Sequence, residues 1–226
     1  MFQSPLVVGY KGEIGSFILN GLLKTLPKAN NIWCFDINES EEEKIERIRK
    51  SDYIFLCVPL QDTVEWLIKY KPYLENKIIV EQCSLKGLIF NDNRINDLHY
   101  ISMHLLFRPS ATPNKEDRRC IVIDENNYQF MLFADMLSET LDIEIEPLYS
   151  YTDHDETMAE NQALVHRVIL ALVQTLKNPR VDTYVSRTLR DLARRIEEGD
   201  ETLYKMIQEN KYLDDVLVKF ENNLRR

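Results

Sequence analysis

Seven short apolar runs alternate with longer amphipathic segments over the first two thirds of the chain. The runs are rich in β-branched and aromatic residues, which is typical of buried strands. The segments at about 13–25, 61–70 and 126–140 have apolar positions at helical spacing. Strands joined by such helices form a parallel sheet, so the pattern predicts an α/β fold with a doubly wound parallel sheet of Rossmann type. The seven runs are LVVG, NIWCFD, YIFLCVP, KIIVEQC, YISMHLL, CIVID and DIEIEPL.

The pattern changes near Ser150, after which the strand-like runs stop. The rest of the chain is rich in Leu, Ala, Arg and Glu at helical spacing, and it predicts a small all-α domain. We therefore expect a nucleotide-binding domain over residues 1–149 and a helical substrate and dimerisation domain over residues 150–226. The predicted helices of the second domain span about 153–177, 181–198 and 200–224.

Composition and charge narrow the class of protein. With 226 residues, 44% of them hydrophobic, the chain can bury one large core and a smaller one. No apolar run reaches the roughly 20 residues that cross a bilayer, and the first residues do not resemble an export signal, so a soluble cytoplasmic protein is expected. A net charge of -9 disfavours nucleic acid as a partner. The four cysteines form no CxxC pair, so neither a metal site nor a disulfide is expected.

A glycine-rich turn follows the first strand, with the sequence GYKGEIG at residues 9–15. At the start of a helix, such a turn presents backbone N–H groups to a pyrophosphate. The usual dinucleotide fingerprint has glycine where this chain has Tyr10, so a tight turn without a ligand is the alternative. The candidate cofactor-binding residues are Gly9, Gly12, Glu13, Ile14 and Gly15.

Two further features indicate NAD as the cofactor. Asp36 ends the second strand about 20 residues after the turn, where a carboxylate accepts hydrogen bonds from the adenosine ribose. Glu39 follows it and would repel the 2′-phosphate of NADP, although Asp36 could instead cap a loop. Val58 and Pro59 follow the third strand and are candidates for a loop under the cofactor, but proline is common where a strand ends.

Three separated segments carry a resemblance to a known family. Residues 81–87 (EQCSLKG) look like its strand-end serine-x-lysine segment, and residues 104–109 (HLLFRP) resemble its histidine-proline-met-phe-gly-pro loop. Residues 154–166 (HDETMAENQALVH) closely resemble the signature that opens its helical domain. The family is that of the prephenate dehydrogenases, with the related arogenate dehydrogenases, and the resemblance covers about residues 5–196. Leu105 and Arg108 stand where the family has proline and glycine.

The resemblance implies roles for two residues at strand ends. His104 corresponds to the family's catalytic histidine, and a neutral imidazole suits a general base at physiological pH. Ser84 would bond the substrate hydroxyl and His104, holding both in position. The alternatives are a histidine that only satisfies backbone groups at a strand end and a serine that only caps a helix.

A dicarboxylate substrate requires fixed positive charge, which arginine supplies bidentately. Arg194 best matches the family's arginine for the ring carboxylate, and His166 could bond the substrate side chain. Arg108 could add a second carboxylate clamp or could close the pocket. Alternatively, the arginines of the predicted helix that contains Arg194 form a solvated face that pairs with acidic neighbours.

The activity implied is NAD-dependent oxidation and decarboxylation of prephenate to 4-hydroxyphenylpyruvate, a step of tyrosine biosynthesis. The alternatives are an arogenate dehydrogenase, a non-catalytic NAD-binding relative, or a hydroxyacid dehydrogenase, whose expected glycine-rich helix with lysine is not visible in the sequence. Apolar stripes in the helical domain, which include Leu164, Val168, Leu172 and Val173, exceed what a small domain buries. A homodimer through these helices is therefore expected, as the family resemblance also implies.

Overall fold

The computed structural model describes residues 4–26, 31–111, 114–123, 130–148, 150–176 and 182–225. The chain forms two compact units, Met1–Tyr151 and Thr152–Arg226. None of the helices within these described ranges is long and apolar enough to cross a membrane.

The first unit is an α/β structure whose strands and helices alternate along most of the chain. Its strands are β1 (Pro5–Val8), β2 (Trp33–Phe35), β3 (Tyr53–Leu56), β4 (Ile78–Glu81), β5 (His99–Leu105), β6 (Arg119–Ile123) and β7 (Glu144–Leu148). Its helices are α1 (Glu13–Thr25), α2 (Glu41–Lys50), α3 (Leu60–Tyr70), α4 (Gly87–Phe90) and α5 (Phe130–Leu141).

The strands form one sheet in the order β2-β1-β3-β4-β5-β6-β7. Strands β1 to β5 are parallel, β6 runs antiparallel to β5, and β7 is parallel to β6. The predicted Rossmann-type fold is confirmed, but the last two strands run opposite to the first five. The described part of the β5–β6 connection has only a 3₁₀ turn, Lys115–Asp117, and a parallel return normally requires a crossover helix.

Helices α1 and α5 cover one face of this sheet and form its main core. Strand residues that alternate along β1, β3, β4 and β5 point towards them, among them Val7, Phe55, Val80 and Met103. Each such side chain, when fully buried, contributes about 1.5–3 kcal/mol to folding. The residues on the opposite face of β4 and β5 are also buried, and they include Glu81, Ser102 and His104.

The helices of the first unit agree in part with the sequence. The predicted segments 13–25 and 61–70 correspond to α1 and α3, and the described part of 126–140 corresponds to α5, while residues 124–129 lie outside the described ranges. Helix α2 was not predicted, although Ser40 and Glu43 form a capping box at its start.

The second unit is entirely helical in its described residues. Its elements are α6 (Tyr151–Met158), which begins at the last residue of the first unit, a π-helical segment (Ala159–Leu164), α7 (Val165–Thr175), α8 (Tyr184–Glu197), α9 (Glu201–Gln208) and α10 (Leu213–Leu224). The first two predicted helices are found, with residues 177 and 181 outside the described ranges.

The prediction of one helix over residues 200–224 is wrong, because α9 and α10 are separate. Asn210 lies at the break and is buried. Its Nδ2 donates to the backbone oxygen of Asp155 at 2.7 Å, and its Oδ1 accepts from the backbone N–H of Tyr212 at 3.1 Å. These bonds compete with a continuous helix, as asparagine often does.

Candidate functional site

The glycine turn after β1 has a backbone shape that excludes side chains at two positions. Gly9 has a φ of +76°, and a Cβ there would collide with the backbone of Cys57. A Cβ on Gly15 would collide with the backbone of Gly9. The departure at Tyr10 is accommodated because its half-buried ring packs against the main core. The turn is therefore tight, as the sequence indicated.

Helix α1 begins at this turn with no side chain capping its N-terminus. Gly12 is the N-cap residue and provides no side-chain hydrogen bond. The N–H groups of the first helical turn and the helix dipole together favour an anion at this end. The geometry thus fits a phosphate group of a cofactor.

Asp36 follows β2 and is held against the glycine turn. Its Oδ2 accepts from the backbone N–H of Lys11 at 3.1 Å, and its Oδ1 accepts from the backbone N–H of Ile37 at 2.8 Å. Each carboxylate oxygen keeps a free lone pair for a sugar hydroxyl. The side chain of Glu39 lies beside it and accepts from the Asp36 N–H at 2.9 Å, which adds negative charge.

Val58 and Pro59 lie next to the glycine turn. The backbone N–H of Cys57 donates to Val8 at 3.0 Å, and Gly9 is in close backbone contact with Cys57. Pro59 is the N-cap residue of α3. The two loops, after β1 and after β3, therefore form one continuous surface at the carboxyl edge of the sheet.

His104 is the penultimate residue of β5 and is buried. Met103 and Leu105 belong to the main core, so His104 and Ser102 lie on the opposite face of the strand. Ser84 lies in the segment between β4 and α4 and is half-buried.

Glu81 of β4, Ser102 of β5 and Lys86, which precedes α4, form a fully buried polar cluster. The Lys86 Nζ is 3.0 Å from Glu81 Oε1 and donates to the Met103 carbonyl at 2.9 Å. Glu81 also accepts from the Ser102 hydroxyl, and its Oε2 accepts from the Cys83 N–H at 2.6 Å. The cluster thus connects Cys83, which precedes Ser84, to Met103, which precedes His104. This cluster was not predicted from the sequence, although a Glu inside the run KIIVEQC indicated a buried charge that requires a partner.

Arg108 follows β5 and pairs with the first residue of α1. Its Nε lies 3.0 Å from Glu13 Oε2, and the Ser110 N–H donates to Glu13 Oε1 at 2.7 Å. Burial alone would raise the pKa of Glu13, but the bonds from Ser110 and Arg108 outweigh it and lower the pKa. Glu13 and Arg108, predicted for cofactor and substrate respectively, are therefore brought together.

In the helical unit, His166 is half-buried and stacks on Tyr204, with ring centroids 6.4 Å apart. Burial lowers the pKa of His166, which favours the neutral imidazole. Its Nδ1 and the Oε1 of Gln162 are buried without a hydrogen-bond partner among the described residues. Gln162 was not among the predicted site residues, although it shares a helical stripe with His166.

Arg194 lies on α8 with 64% of its side chain exposed. It pairs with Asp191 at 2.9 Å and is 4.0 Å from Glu198. This is the solvated arrangement that the sequence left open as the alternative. His154, by contrast, is fully buried with its Nδ1 2.9 Å from Asp155 Oδ1. In the described part of the chain, no group of three or more His, Cys, Asp or Glu could hold a metal ion.

Comparison with known proteins assigns the second unit. Residues 150–226 match the model of the family described as prephenate dehydrogenase, dimerization domain. The helical unit belongs to this prephenate dehydrogenase family. A search of curated proteins found no match. The family predicted from three sequence segments is thus confirmed on the unit that contains the longest of them.

Solved structures of the same family share the fold of the whole chain. A prephenate dehydrogenase from Aquifex aeolicus, in complex with hydroxyphenyl propionate and NAD⁺, is 22% identical with a TM-score of 0.76, covering 100% of this chain and 89% of its own. Arogenate dehydrogenase from Synechocystis is 19% identical with a TM-score of 0.69, and the match covers 98% of this chain and 89% of the Synechocystis chain. The more distant Plasmodium falciparum pyrroline carboxylate reductase, with NADP bound, has a TM-score of 0.53 at 16% identity. This match covers 98% of this chain and 90% of the reductase chain.

Proposed function

We propose that this chain is an NAD-dependent dehydrogenase that oxidises and decarboxylates prephenate to 4-hydroxyphenylpyruvate. The observation that carries the proposal is a buried histidine, His104, at the carboxyl end of β5 in a chain whose helical unit belongs to the prephenate dehydrogenase family. Residues 1–149 would bind the nucleotide, and residues 150–226 would contribute to substrate binding and dimerisation.

The residues at the glycine turn fit NAD. A side chain at Gly9 or Gly15 would collide with the backbone, so the tight turn, which can cradle a phosphate with its N–H groups, requires glycine at both positions. The uncapped start of α1 favours the pyrophosphate. Asp36 would accept hydrogen bonds from the adenosine ribose, and the negative charge of Glu39 disfavours a 2′-phosphate. Glu13, Ile14, Val58 and Pro59 would complete the binding surface. The Aquifex relative, whose structure contains NAD⁺, supports the same cofactor.

His104 would act as the general base. It takes the proton of the substrate's ring hydroxyl, and bound NAD⁺ supplies the acceptor for the hydride from the same carbon. The ring carboxylate leaves as CO₂, its bonding electrons complete an aromatic ring, and the ring oxygen ends protonated as a phenol. Ser84 would hold the hydroxyl in line with His104, and the Glu81–Lys86 pair would fix the two backbone segments that carry them.

The substrate's two carboxylates require cations. Arg194 would hold the ring carboxylate after exchanging its surface partner Asp191, and the unpartnered Nδ1 of His166 would bond the side chain. Arg108 is a weaker candidate as a clamp, because it would have to leave Glu13. The pairing of Arg108 with Glu13 supports a role in holding the loop after β5 against the helix start that follows the glycine turn.

Arogenate is the second candidate substrate. Gln162 lies in the π-helical segment, four residues before His166 of α7, and its buried amide oxygen has no partner among the described residues. The ammonium group of arogenate could donate to it, whereas the keto group of prephenate could not. The similarity to the Synechocystis arogenate dehydrogenase agrees with this alternative.

The test is NADH formation with prephenate and with arogenate, measured side by side with NAD⁺. We expect His104→Asn to bind cofactor and substrate normally but to turn over about 10²–10⁴-fold more slowly, which is the usual contribution of a positioned base. His99→Asn, at the exposed opposite end of β5, is the matched control and should keep wild-type turnover. Full activity of His104→Asn would contradict the assignment, and NAD⁺ binding without turnover of either substrate would indicate a non-catalytic relative.

We also propose a homodimer through the helical unit, supported by the family's description as a dimerization domain. The cytoplasmic location expected from the sequence stays a prediction.

A further inference from the structure

Gln82 carries a buried amide that no described residue satisfies. Both its Oε1 and its Nε2 are buried and have no hydrogen-bond partner in the described part of the chain. Native proteins rarely leave both atoms of a buried amide unpaired, because each lost bond to water costs free energy. Among the described residues, the side chain therefore keeps one donor and one acceptor available for a ligand.

The position of Gln82 relates it to the glycine turn. Strands β1, β3 and β4 end in register, with Val8 opposite Leu56 and Leu56 opposite Glu81. The residues that follow these ends, Gly9, Cys57 and Gln82, therefore form a row along the carboxyl edge of the sheet. At ~4.8 Å per strand, Gln82 lies roughly 10 Å from Gly9.

This row continues the path that a dinucleotide would take. Asp36 after β2 suits the adenosine ribose, and the turn after β1 suits the pyrophosphate. Because the sheet order is β2-β1-β3-β4, a cofactor extended in this direction brings its nicotinamide towards the end of β4. Ser84 is two residues beyond Gln82, and His104 is on the neighbouring strand.

The chemistry of the nicotinamide matches the unpaired amide. Its carboxamide has one acceptor oxygen and an NH₂ donor, and the side chain of glutamine offers the complementary pair. The buried polar side chains of the same segment bond each other or a neighbour: Glu81 and Lys86 are 3.0 Å apart, and the Cys83 thiol lies 3.4 Å from the Thr63 hydroxyl. Gln82 is thus the side chain of this segment that is both buried and unsatisfied.

We propose that Gln82 binds the carboxamide of the nicotinamide and thereby fixes which face of the ring is presented to the substrate. The inference rests on the proposed NAD-dependent function and names a cofactor contact that the sequence did not indicate.

The experiment compares wild type with Gln82→Met, a nearly isosteric change, by calorimetric titration. Three probes are used: NAD⁺, ADP-ribose, which lacks the nicotinamide, and 3-acetylpyridine adenine dinucleotide, in which a methyl replaces the amide NH₂. We expect Gln82→Met to bind NAD⁺ roughly tenfold more weakly, as the loss of two neutral hydrogen bonds implies, while its affinity for ADP-ribose is unchanged. Wild type should prefer NAD⁺ to the acetylpyridine analogue, and the variant should not.

Gln61→Met, on the exposed side of α3, is the control and should leave all three affinities unchanged. The melting temperature of ligand-free Gln82→Met should not fall, because the unliganded side chain makes no bond with the described residues that the substitution would remove. Equal NAD⁺ affinity of wild type and Gln82→Met, or parallel losses for NAD⁺ and ADP-ribose, would overturn the role of Gln82. Failure of wild type to bind either NAD⁺ or ADP-ribose would instead overturn the proposed function itself.

Discussion

Glu81 and Lys86 illustrate how a single residue can determine stability in the first unit. Both side chains are fully buried and 3.0 Å apart. Removing one partner leaves an uncompensated charge in the interior, which typically costs about 3–5 kcal/mol. We expect Lys86→Met to lower the free energy of unfolding by about this amount, measured by urea denaturation.

The matched control for this prediction is Lys50→Met, because Lys50 pairs with Glu46 on the surface. An exposed ion pair contributes about 0–1 kcal/mol to stability, so the free energy of unfolding of this variant should be close to that of wild type. Adding Glu81→Gln to Lys86→Met removes the unpaired charge and keeps an acceptor for the Cys83 N–H, so it should recover part of the loss. Equal stability of the two single lysine variants would contradict the buried pair.

Glu13 gives a pH-dependent prediction. Its pKa in the folded protein is lowered by Ser110 and Arg108, so its contribution to stability is present above the unfolded pKa, near 4.5, and is lost as the pH falls through the lower folded value. At neutral pH, the free energy of unfolding of wild type should exceed that of Glu13→Gln by about 1 kcal/mol or less, because the Glu13–Arg108 pair is partly exposed. In urea denaturation, the difference should shrink as the pH falls below 4.5. Glu75→Gln, at an exposed position, should show no such difference at either pH.

At the residue scale, the sequence predicts some positions of the site better than others. The glycine turn and Asp36 are local features with fixed spacing, and the structure brings them into contact through the Lys11 N–H. Glu81 and Ser102 are 21 residues apart and meet only because β4 and β5 are paired in that register. A side chain whose partner depends on strand pairing cannot be recognised from its neighbours in the chain.

At the scale of elements, the hydrophobic pattern located all seven strands of the described sheet and the parallel direction of β1–β5, but not the reversal at β6. Direction depends on the connections: a parallel return from β5 to β6 normally requires a crossover helix, none was predicted there, and the prediction of a parallel sheet did not take this into account. Helix α2 was missed because its face is highly charged, with the sequence EEEKIERIRK, although its capping box is a local signal. The break between α9 and α10 depends on Asn210, whose partner Asp155 lies 55 residues away.

The α9–α10 break can be tested by Asn210→Ala. This change removes the bonds to the Asp155 carbonyl and from the Tyr212 N–H, and it leaves both groups without the side chain that satisfied them. We expect the free energy of unfolding to fall by about 1–3 kcal/mol in urea denaturation. Asn222→Ala, at an exposed position of α10, should change it by less than about 0.5 kcal/mol. A stable Asn210→Ala variant would show that the break is determined elsewhere.

At the scale of the whole molecule, the helical unit leaves apolar surface uncovered. None of the residues of α7 is buried, although most of them are apolar, and Leu172 is 41% exposed. On α8, Tyr184 and Val185 are 83% and 64% exposed. Exposed apolar side chains in such number usually mark an interface, and a stable dimer buries about 800 Å² on each partner.

We therefore expect wild type at micromolar concentration to have twice the mass of the chain by light scattering. Leu172→Asp would place a charge in the proposed interface and should shift the mass to that of one chain, because an unpaired buried charge opposes association. Leu23→Asp makes the same change at a leucine of α1 that is 60% exposed, and it should remain dimeric. Because both substitutions put aspartate in a helix, their equal helical content by circular dichroism would assign the difference in mass to the interface. A monomeric wild type, or two variants with the same mass, would contradict dimerisation through α7.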